Sequence, residues 1–240
     1  MREKNKAIVL DIRHHNEKTD IITIYTDLHG RVVTLSPVSA SVKGKARRAR
    51  LQPLSVIETE LNFNPEKEFH RLGGVSPAAV WSDIYYHPMK RLTAFFIAEF
   101  LNKLLRATMP DTELWQFIYS SLEDFDNMTE GYNDFHIIFL FRLLKFAGIQ
   151  PNSENYEKGY FFDMREGKFV YNIPSHNDLL KDQEAAFASI AHRLNYTNIR
   201  KLKLTAHARR RILSSLLKYY AIHFPGTGNL KTLNTLSGII

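Results

Sequence analysis

Four short runs rich in β-branched residues follow one another in the first 61 residues of this 240-residue chain, and they restrict its fold more than any other feature. They read KAIVLDIR, DIITIYT, RVVTLSP and LSVIETEL, and polar breaks separate them. Runs of this length and alternation are typical of β-strands. Gly30, in the DLHG segment between the second and third runs, can take the positive φ of a tight turn.

A further run, KEFHRLGG, predicts a fifth strand. Five short strands fit a small Greek-key barrel of the OB type, because such a barrel closes its sheet and leaves few exposed edges. An SH3-like barrel would give a similar pattern. We therefore predict an α+β protein in which residues 1–75 form a five-stranded OB-type β-barrel that binds nucleic acid.

The remainder of the chain predicts a mainly helical domain. Residues 76–87 are interpreted as a connector, whose aromatic residues Trp81, Tyr85 and Tyr86 pack the barrel onto the next part of the chain. Pro88 stands where a first helical residue belongs, and it opens a helical domain over residues 88–240. Within that domain, two aromatic-rich runs flank the turn segment MREG, which predicts a small β-hairpin near 160–172.

The net charge of +7 is unevenly distributed along the chain. Residues 111–184 hold 14 acids against six cations, whereas no acid follows Glu184. Segregated charge produces an electrostatic field that selects binding partners, so two basic ends of the chain indicate a polyanionic ligand. The alternative interpretation is that the basic residues simply form solvated helix faces. The tail carries nine cations: Arg193, Arg200, Lys201, Lys203, Arg209, Arg210, Arg211, Lys218 and Lys231.

The densest basic cluster is the segment SVKGKARRARLQP, predicted to be a loop between two strands. Small residues separate its cations, so the long side chains can follow a backbone of phosphates. A solvated basic loop is the alternative interpretation. The candidate DNA-binding residues of this cluster are Lys43, Lys45, Arg47, Arg48 and Arg50.

A second candidate surface lies on the last long helix, TAHARRRILSSLLKYYAIHF. At 100° per residue, its apolar residues fall on one side and its cations on the other. Arg210, Arg211 and Lys218 are the DNA-binding candidates on that polar face, whereas Arg209 falls in the apolar arc and is expected to snorkel or to pair with an acid of the middle segment. For base stacking, Tyr25 and Phe63 are candidates together with Phe69, although strand aromatics in a small barrel are mostly buried.

No catalytic or metal site is predicted. The chain has no cysteine, which removes thiolate nucleophiles and sulfur-based zinc sites, and no cofactor is expected. Two clusters of possible ligands, at His14 and His15 and at Glu123 to Asp126, lack a specific spacing. The charged first residues and the short apolar stretches predict neither a signal peptide nor a membrane span, so a cytoplasmic protein is expected.

The order of several motifs resembles the bacterial RecO family of recombination mediators. The motifs are DIITIYT, the HG turn, KGKARRARLQP, LLKFAGIQP, GYFFDMREGKF and RRRILSSLLKYYAIHF, and they span nearly the whole chain. The resemblance implies binding of single- and double-stranded DNA, annealing of complementary strands, and a cytoplasmic, nucleoid-associated role in DNA repair. It also implies action with RecR and with the C-terminal tail of single-strand-binding protein, to help load RecA.

One feature departs from the family pattern. Many relatives carry a four-cysteine zinc site around the segment that here contains GYFFDMREGKFVYN, and this chain has no cysteine to supply it. We therefore predict that aromatic packing replaces the metal, through Tyr160, Phe161, Phe162, Phe169 and Tyr171. Composition alone leaves an OB-type RNA-binding or ribosome-associated factor as the alternative function.

Overall fold

The computed structural model describes residues 3–106, 109–198 and 203–238. Residues 1–127 and residues 128–240 form two separate compact units.

The first unit is built on a six-stranded sheet that curls into an OB-like half-barrel. Its strand order is β5-β3-β2-β1-β4-β6, and every pairing is antiparallel except that of β3 with β5. The strands are β1 (Glu3–Asn16), β2 (Thr19–Thr26), β3 (Gly30–Pro37), β4 (Val56–Leu61), β5 (His70–Arg71) and β6 (Val75–Pro77).

The strand count differs from the prediction of five. The KEFHRLGG run forms only the two-residue strand β5, and the chain then pairs again with β4 as β6, through Thr59 opposite Val75. This sixth strand uses residues that the sequence assigned to the connector. Pro77 lies at the sheet edge, where the missing amide proton of a proline is tolerated. Gly30 has φ of +66°, as the predicted turn requires.

Alternating residues of the strands fill the interior of the half-barrel. Side chains that point to one face of a strand recur every second residue, so β-branched runs place an apolar row inside. Burying such side chains contributes about 1.5–3 kcal/mol each. The buried core consists of Ala7, Val9, Ile22, Ile24, Val32, Leu51, Ile57, Leu61 and Leu72.

The described residues of the first unit form three α-helices: α1 (Val42–Ala49), α2 (Pro88–Leu104) and α3 (Thr112–Asn127). Asp111 caps α3 by accepting a hydrogen bond from the Leu114 amide at 2.9 Å. The segment before α2 is held by aromatic side chains, since Trp81 donates to the Leu54 carbonyl at 2.9 Å and the Tyr85 hydroxyl to the Pro53 carbonyl at 3.1 Å. Tyr86 is exposed instead.

The second unit contains four helices and a small sheet among its described residues. The helices are α4 (Phe135–Phe146), α5 (Asp182–Ile190), α6 (Ala206–His223) and α7 (Leu233–Ser237). The sheet has the order β8-β7-β9 and comprises β7 (Phe161–Asp163), β8 (Lys168–Val170) and β9 (Leu179–Leu180). The predicted hairpin is thus present as β7 and β8, and a third strand joins it.

Aromatic packing holds this hairpin. The rings of Phe162 and Phe169, which face each other across β7 and β8, have centroids 5.0 Å apart, and Tyr219 of α6 lies 5.3 Å from Phe162. Tyr160 contacts Tyr171 at 5.8 Å, but Tyr171 is 73% exposed. Phe162 and Phe169 are therefore the buried pair on which the hairpin depends.

Candidate nucleic-acid interface

The basic segment between β3 and β4 is a helix, not the loop that the sequence predicted. The Ser41 hydroxyl caps α1 by accepting a hydrogen bond from the Gly44 amide at 3.1 Å. Alanine, lysine and arginine are good helix formers, and serine is a preferred cap, so local propensity explains the helix. None of the eight residues of α1 is buried, so the helix lies entirely on the surface.

Three arginines fasten α1 and its cap to the sheet. Arg47 donates from Nη2 to the Leu72 carbonyl at 3.0 Å, and Arg50 donates from Nη1 to the Val75 carbonyl at 2.9 Å. Arg48 forms an ion pair with the buried Asp20, with Nε 3.4 Å from Oδ2. Arg47 and Arg50 bond to neutral carbonyls and therefore keep their charge, whereas Asp20 neutralises the charge of Arg48.

Lys43 and Lys45 differ from the arginines. Both are exposed, and their ammonium groups have no hydrogen bond or ion pair with any residue that the structure describes. Their charges are therefore available to a ligand, and removing them breaks no hydrogen bond or ion pair among the described residues. Of the five predicted residues, these two are the clearest candidates for phosphate contacts.

A sixth cation, Arg71, joins this surface. It lies on β5, which pairs in parallel with β3 and so brings Arg71 beside helix α1. Burial, and after it the charge of Arg71, lower the pKa of Arg47. Sequence reasoning missed Arg71 because a parallel pairing between β3 and β5 leaves no local signal.

The polar face of α6 is less cationic than its sequence indicates. Arg211 pairs with Glu184, and Lys218 approaches Asp178 at 3.0 Å. Hydrogen bonds from Lys218 and then from Arg165 lower the pKa of Asp178. Arg210 is exposed and has no side-chain partner within the described parts of the chain, whereas Arg200 and Lys201 lie outside those residues.

Arg209 pairs with an acid of the middle segment, as one of the two expectations stated. Its Nε lies 2.7 Å from Oδ1 of Asp134, and both side chains are largely buried. The apolar side of α6 is buried as predicted, through Ile212, Leu213, Leu216, Leu217 and Tyr220.

An apolar cavity lies beside this helix in the second unit. Its volume is about 20 Å³, and Glu184 lies in its lining. The Arg211 guanidinium, which pairs with Glu184, is therefore beside the cavity. The apolar lining includes Phe141, Pro151, Phe162, Leu180, Phe187 and Tyr219.

The three aromatic candidates for base stacking have different surroundings. Tyr25 is completely buried, and burial raises the pKa of its hydroxyl to about 12. Phe63 is stacked between two histidines, with centroids 4.2 Å from His29 and 5.0 Å from His70. Phe69 is 40% exposed, so it is the candidate with a face open to solvent.

The two clusters considered as metal ligands are engaged in internal contacts. His14 Nδ1 lies 3.1 Å from Oδ1 of Asp20, and Asp126 accepts hydrogen bonds from three backbone amides. Among the described residues, no group of three or more histidines and carboxylates could hold a metal ion. No helix in the same ranges is long and apolar enough to cross a membrane.

Comparison with known proteins identifies the family. A family model described as "Recombination protein O N terminal" matches residues 1–80, and one described as "Recombination protein O C terminal" matches residues 90–233. The chain belongs to the RecO family. Members of this family are non-enzymatic recombination mediators in DNA repair.

Relatives match over nearly their whole length. "DNA repair protein RecO" of Phocaeicola vulgatus is 33% identical over 236 residues, which cover 98% of each chain. The protein of the same name from Bacteroides fragilis is 30% identical over 237 residues, again 98% of each chain. The one from Porphyromonas gingivalis is 29% identical over 237 residues, or 97% of each.

Proposed function

We propose that this chain binds single- and double-stranded DNA through helix α1 and accelerates the annealing of complementary strands, and that it helps load RecA in the cytoplasm at the nucleoid. The observation that carries the proposal is the surface position of α1. Its segment places five cations within residues 43–50 without one acid, and no residue of the helix is buried.

Such a surface suits annealing for an electrostatic reason. Two strands repel each other through their phosphates, and cations that neutralise both backbones lower that repulsion. Contacts to phosphates leave the base edges free to pair. We further propose that residues 1–75 act as the DNA-binding domain, followed by the connector at 76–87 and the helical region of residues 88–240. The first two helices of that region, α2 and α3, belong to the same compact unit as the six-stranded sheet.

A strand-annealing assay tests the proposal. The wild-type chain is mixed with two complementary oligonucleotides, one carrying a fluorophore and the other a quencher, and the rate of quenching is followed. Acceleration by the wild type, lost in a variant with alanine at Lys43, Lys45, Arg47, Arg48 and Arg50, supports DNA annealing. Because the three arginines of this set also hold α1, thermal unfolding of the variant is measured in parallel.

A competition experiment distinguishes DNA binding from the alternative function, RNA binding. A fluorescent single-stranded DNA is displaced by unlabelled DNA or by a structured RNA of equal length. Comparable competition by DNA, together with annealing, supports the mediator function. Strong preference for the structured RNA, without annealing, would instead identify an RNA-binding or ribosome-associated factor.

The expected protein partners are RecR and single-strand-binding protein. Bacterial single-strand-binding proteins end in an acidic tail with an apolar tip, and we place this tail at the apolar cavity beside α6. The cavity offers an apolar lining, and Arg211 stands beside it in an ion pair with Glu184. Arg210 adds an exposed cation on the same helix.

Peptide binding tests this placement. A fluorescent tail peptide should bind the wild type, and Arg211→Glu should weaken binding at least tenfold because it opposes the acidic tail. Glu184→Gln should strengthen binding, since it releases Arg211 from its internal partner. Lys158→Glu, an exposed change of equal charge in the same unit, is the control. Equal effects of Arg211→Glu and Lys158→Glu would place the tail elsewhere.

A further inference from the structure

A cleft in the first unit brings two arginines together beside helix α1. Its volume is about 340 Å³, which is within the usual range of ligand sites. Helix α1 and the residues around β5 contribute to its walls. The lining residues are Pro37, Arg47, Glu60, Asn62, Arg71, Leu72 and Gly73.

One wall depends on a close approach of two backbone segments. Gly73 donates from its amide to the Glu60 carbonyl at 3.1 Å. A Cβ atom at position 73 would lie 2.4 Å from that carbonyl oxygen, so only glycine allows this approach. The segment after β5 is thereby held against β4, and this close approach forms one wall of the cleft.

The two arginines are incompletely satisfied. Arg47 Nη2 donates to the Leu72 carbonyl, but its Nε is buried and has no hydrogen-bond partner among the residues that the structure describes. Arg71 is exposed, and in the described parts of the chain no carboxylate forms an ion pair with either guanidinium. A buried donor without an acceptor costs free energy, and so does the approach of two like charges.

An anion in the cleft would remove both costs, because it would accept a hydrogen bond from Nε and screen the two guanidinium groups. The guanidinium fork matches the tetrahedral oxygens of phosphate better than a point charge does. Glu60 contributes one carboxylate to the lining, so the lining side chains carry a net charge of +1. That charge complements a phosphodiester, with one negative charge, rather than a terminal phosphate, with nearly two.

We propose that this cleft binds one phosphodiester group of a nucleic-acid backbone between Arg47 and Arg71. The inference rests on the proposed function and deepens it, because it fixes one point of the strand beside helix α1. Lys43 and Lys45 supply diffuse attraction on the same helix, whereas the cleft holds a single phosphate through directed hydrogen bonds. Arg71 thereby becomes a DNA-binding residue.

Binding of an oligothymidylate at several salt concentrations tests the cleft. Arg71→Gln, which breaks no ion pair among the described residues, should reduce the slope of log affinity against log salt by up to about 0.7. Arg47→Gln with Arg71→Gln should reduce it by about the same 0.7, because both arginines neutralise one phosphate. Arg91→Gln, an exposed arginine of α2, is the matched control and should leave the slope unchanged. Arg47→Lys keeps the positive charge but loses the guanidinium fork. This variant should therefore have the wild-type salt slope but bind the oligothymidylate more weakly than the wild type.

A second measurement is independent of annealing and of long DNA. Thymidylyl-thymidine, which contains one phosphodiester, is titrated into nitrogen-15-labelled protein. The Arg47 Nε–H resonance should shift in the wild type and in Arg91→Gln but not in Arg71→Gln. Absence of this shift in the wild type, or a wild-type salt slope in Arg71→Gln, would overturn the proposal. A larger shift with inorganic phosphate would assign the cleft to phosphate monoanions and dianions instead and would equally overturn it.

The two levels of inference fail separately. If the wild type neither binds nor anneals DNA, the proposed function is wrong whatever the dinucleotide does. If the wild type anneals DNA and Arg71→Gln has the same salt slope and annealing rate, the function stands and the cleft is merely structural.

Discussion

The Nε of Arg48 lies 3.4 Å from Oδ2 of Asp20, and this ion pair joins helix α1 to the hairpin of β1 and β2. The Asp20 side chain is only 6% exposed, and its other oxygen lies 3.1 Å from His14 Nδ1. One carboxylate therefore positions the helix and at the same time neutralises one of its cations. The basic surface of α1 is weaker than its sequence indicates by that one charge.

Asp20→Asn should strengthen DNA binding. The substitution keeps the shape of the side chain but frees the charge of Arg48, so the salt slope of binding to single-stranded DNA should steepen by up to about 0.7. Asp27→Asn removes the same charge from the same unit and should leave the slope unchanged. Fluorescence anisotropy at four salt concentrations measures both. Identical slopes for the two variants would show that Arg48 does not reach the DNA.

The two lysines of α1 should each contribute one phosphate contact. Lys43→Ala and Lys45→Ala should each flatten the salt slope by about 0.7, and the effects should add because the side chains share no partner. The free energy of unfolding should change by less than about 0.5 kcal/mol for either. Lys158→Ala in the second unit is the matched control. Unchanged slopes in both α1 variants would identify the helix as a solvated surface.

Asp126 should control the acid stability of the first unit. Its carboxylate accepts hydrogen bonds from the amides of Ser82, Asp83 and Ile84, each at 2.8 Å, and from the Ser82 hydroxyl at 2.9 Å. Burial by itself raises the pKa of Asp126, but these bonds outweigh it, and the pKa is lowered from its ordinary 3.8.

A lowered carboxyl pKa stabilises the folded state above pH 3.8, and that stabilisation is lost as the pH falls through the folded-state pKa. Asp126→Asn should therefore cost at least about 2 kcal/mol at pH 7, because two donors lose their acceptor. The difference in unfolding free energy between Asp126→Asn and the wild type should decrease as the pH falls below 3.8, the ordinary pKa of an aspartate. Urea unfolding across pH 2.5–7 measures it, with the exposed Asp124→Asn as the control; a cost below about 0.5 kcal/mol at pH 7 would contradict the prediction.

His136 should make the second unit less stable in mild acid. Its side chain is fully buried in α4, and burial, followed by the charge of Arg209, lowers its pKa from 6.5 to about 3. Between these values the unfolded chain binds a proton that the folded chain does not, so stability falls as the pH drops below 6.5.

His136→Leu should remove this dependence. The slope of unfolding free energy against pH should decrease by up to about 1.4 kcal/mol per pH unit between pH 6 and pH 4, which corresponds to one proton. Urea unfolding at pH 6, pH 5 and pH 4 measures the change. His207→Gln, on the exposed face of α6, should leave the slope at its wild-type value. An unchanged slope in His136→Leu would show that the folded protein binds the proton.

Local sequence pattern is sufficient to specify several elements of this fold. The β-branched runs before residue 62 form β1 to β4, because alternation places one row of side chains in the core. Pro88 opens α2, Gly30 takes the left-handed turn, and the apolar stripe of α6 is buried. Helix α1 also follows from local propensity, and its prediction as a loop underestimated the cap at Ser41.

The availability of the cations, by contrast, depends on tertiary contacts. Whether an arginine or lysine is free is set by partners far along the chain: Asp20 for Arg48, Glu184 for Arg211, Asp178 for Lys218. Composition counts these charges but cannot pair them, because an ion pair requires two distant segments to meet at a few ångströms. The parallel pairing of β3 with β5 likewise brings Arg71 to Arg47, and neither strand encodes this meeting locally.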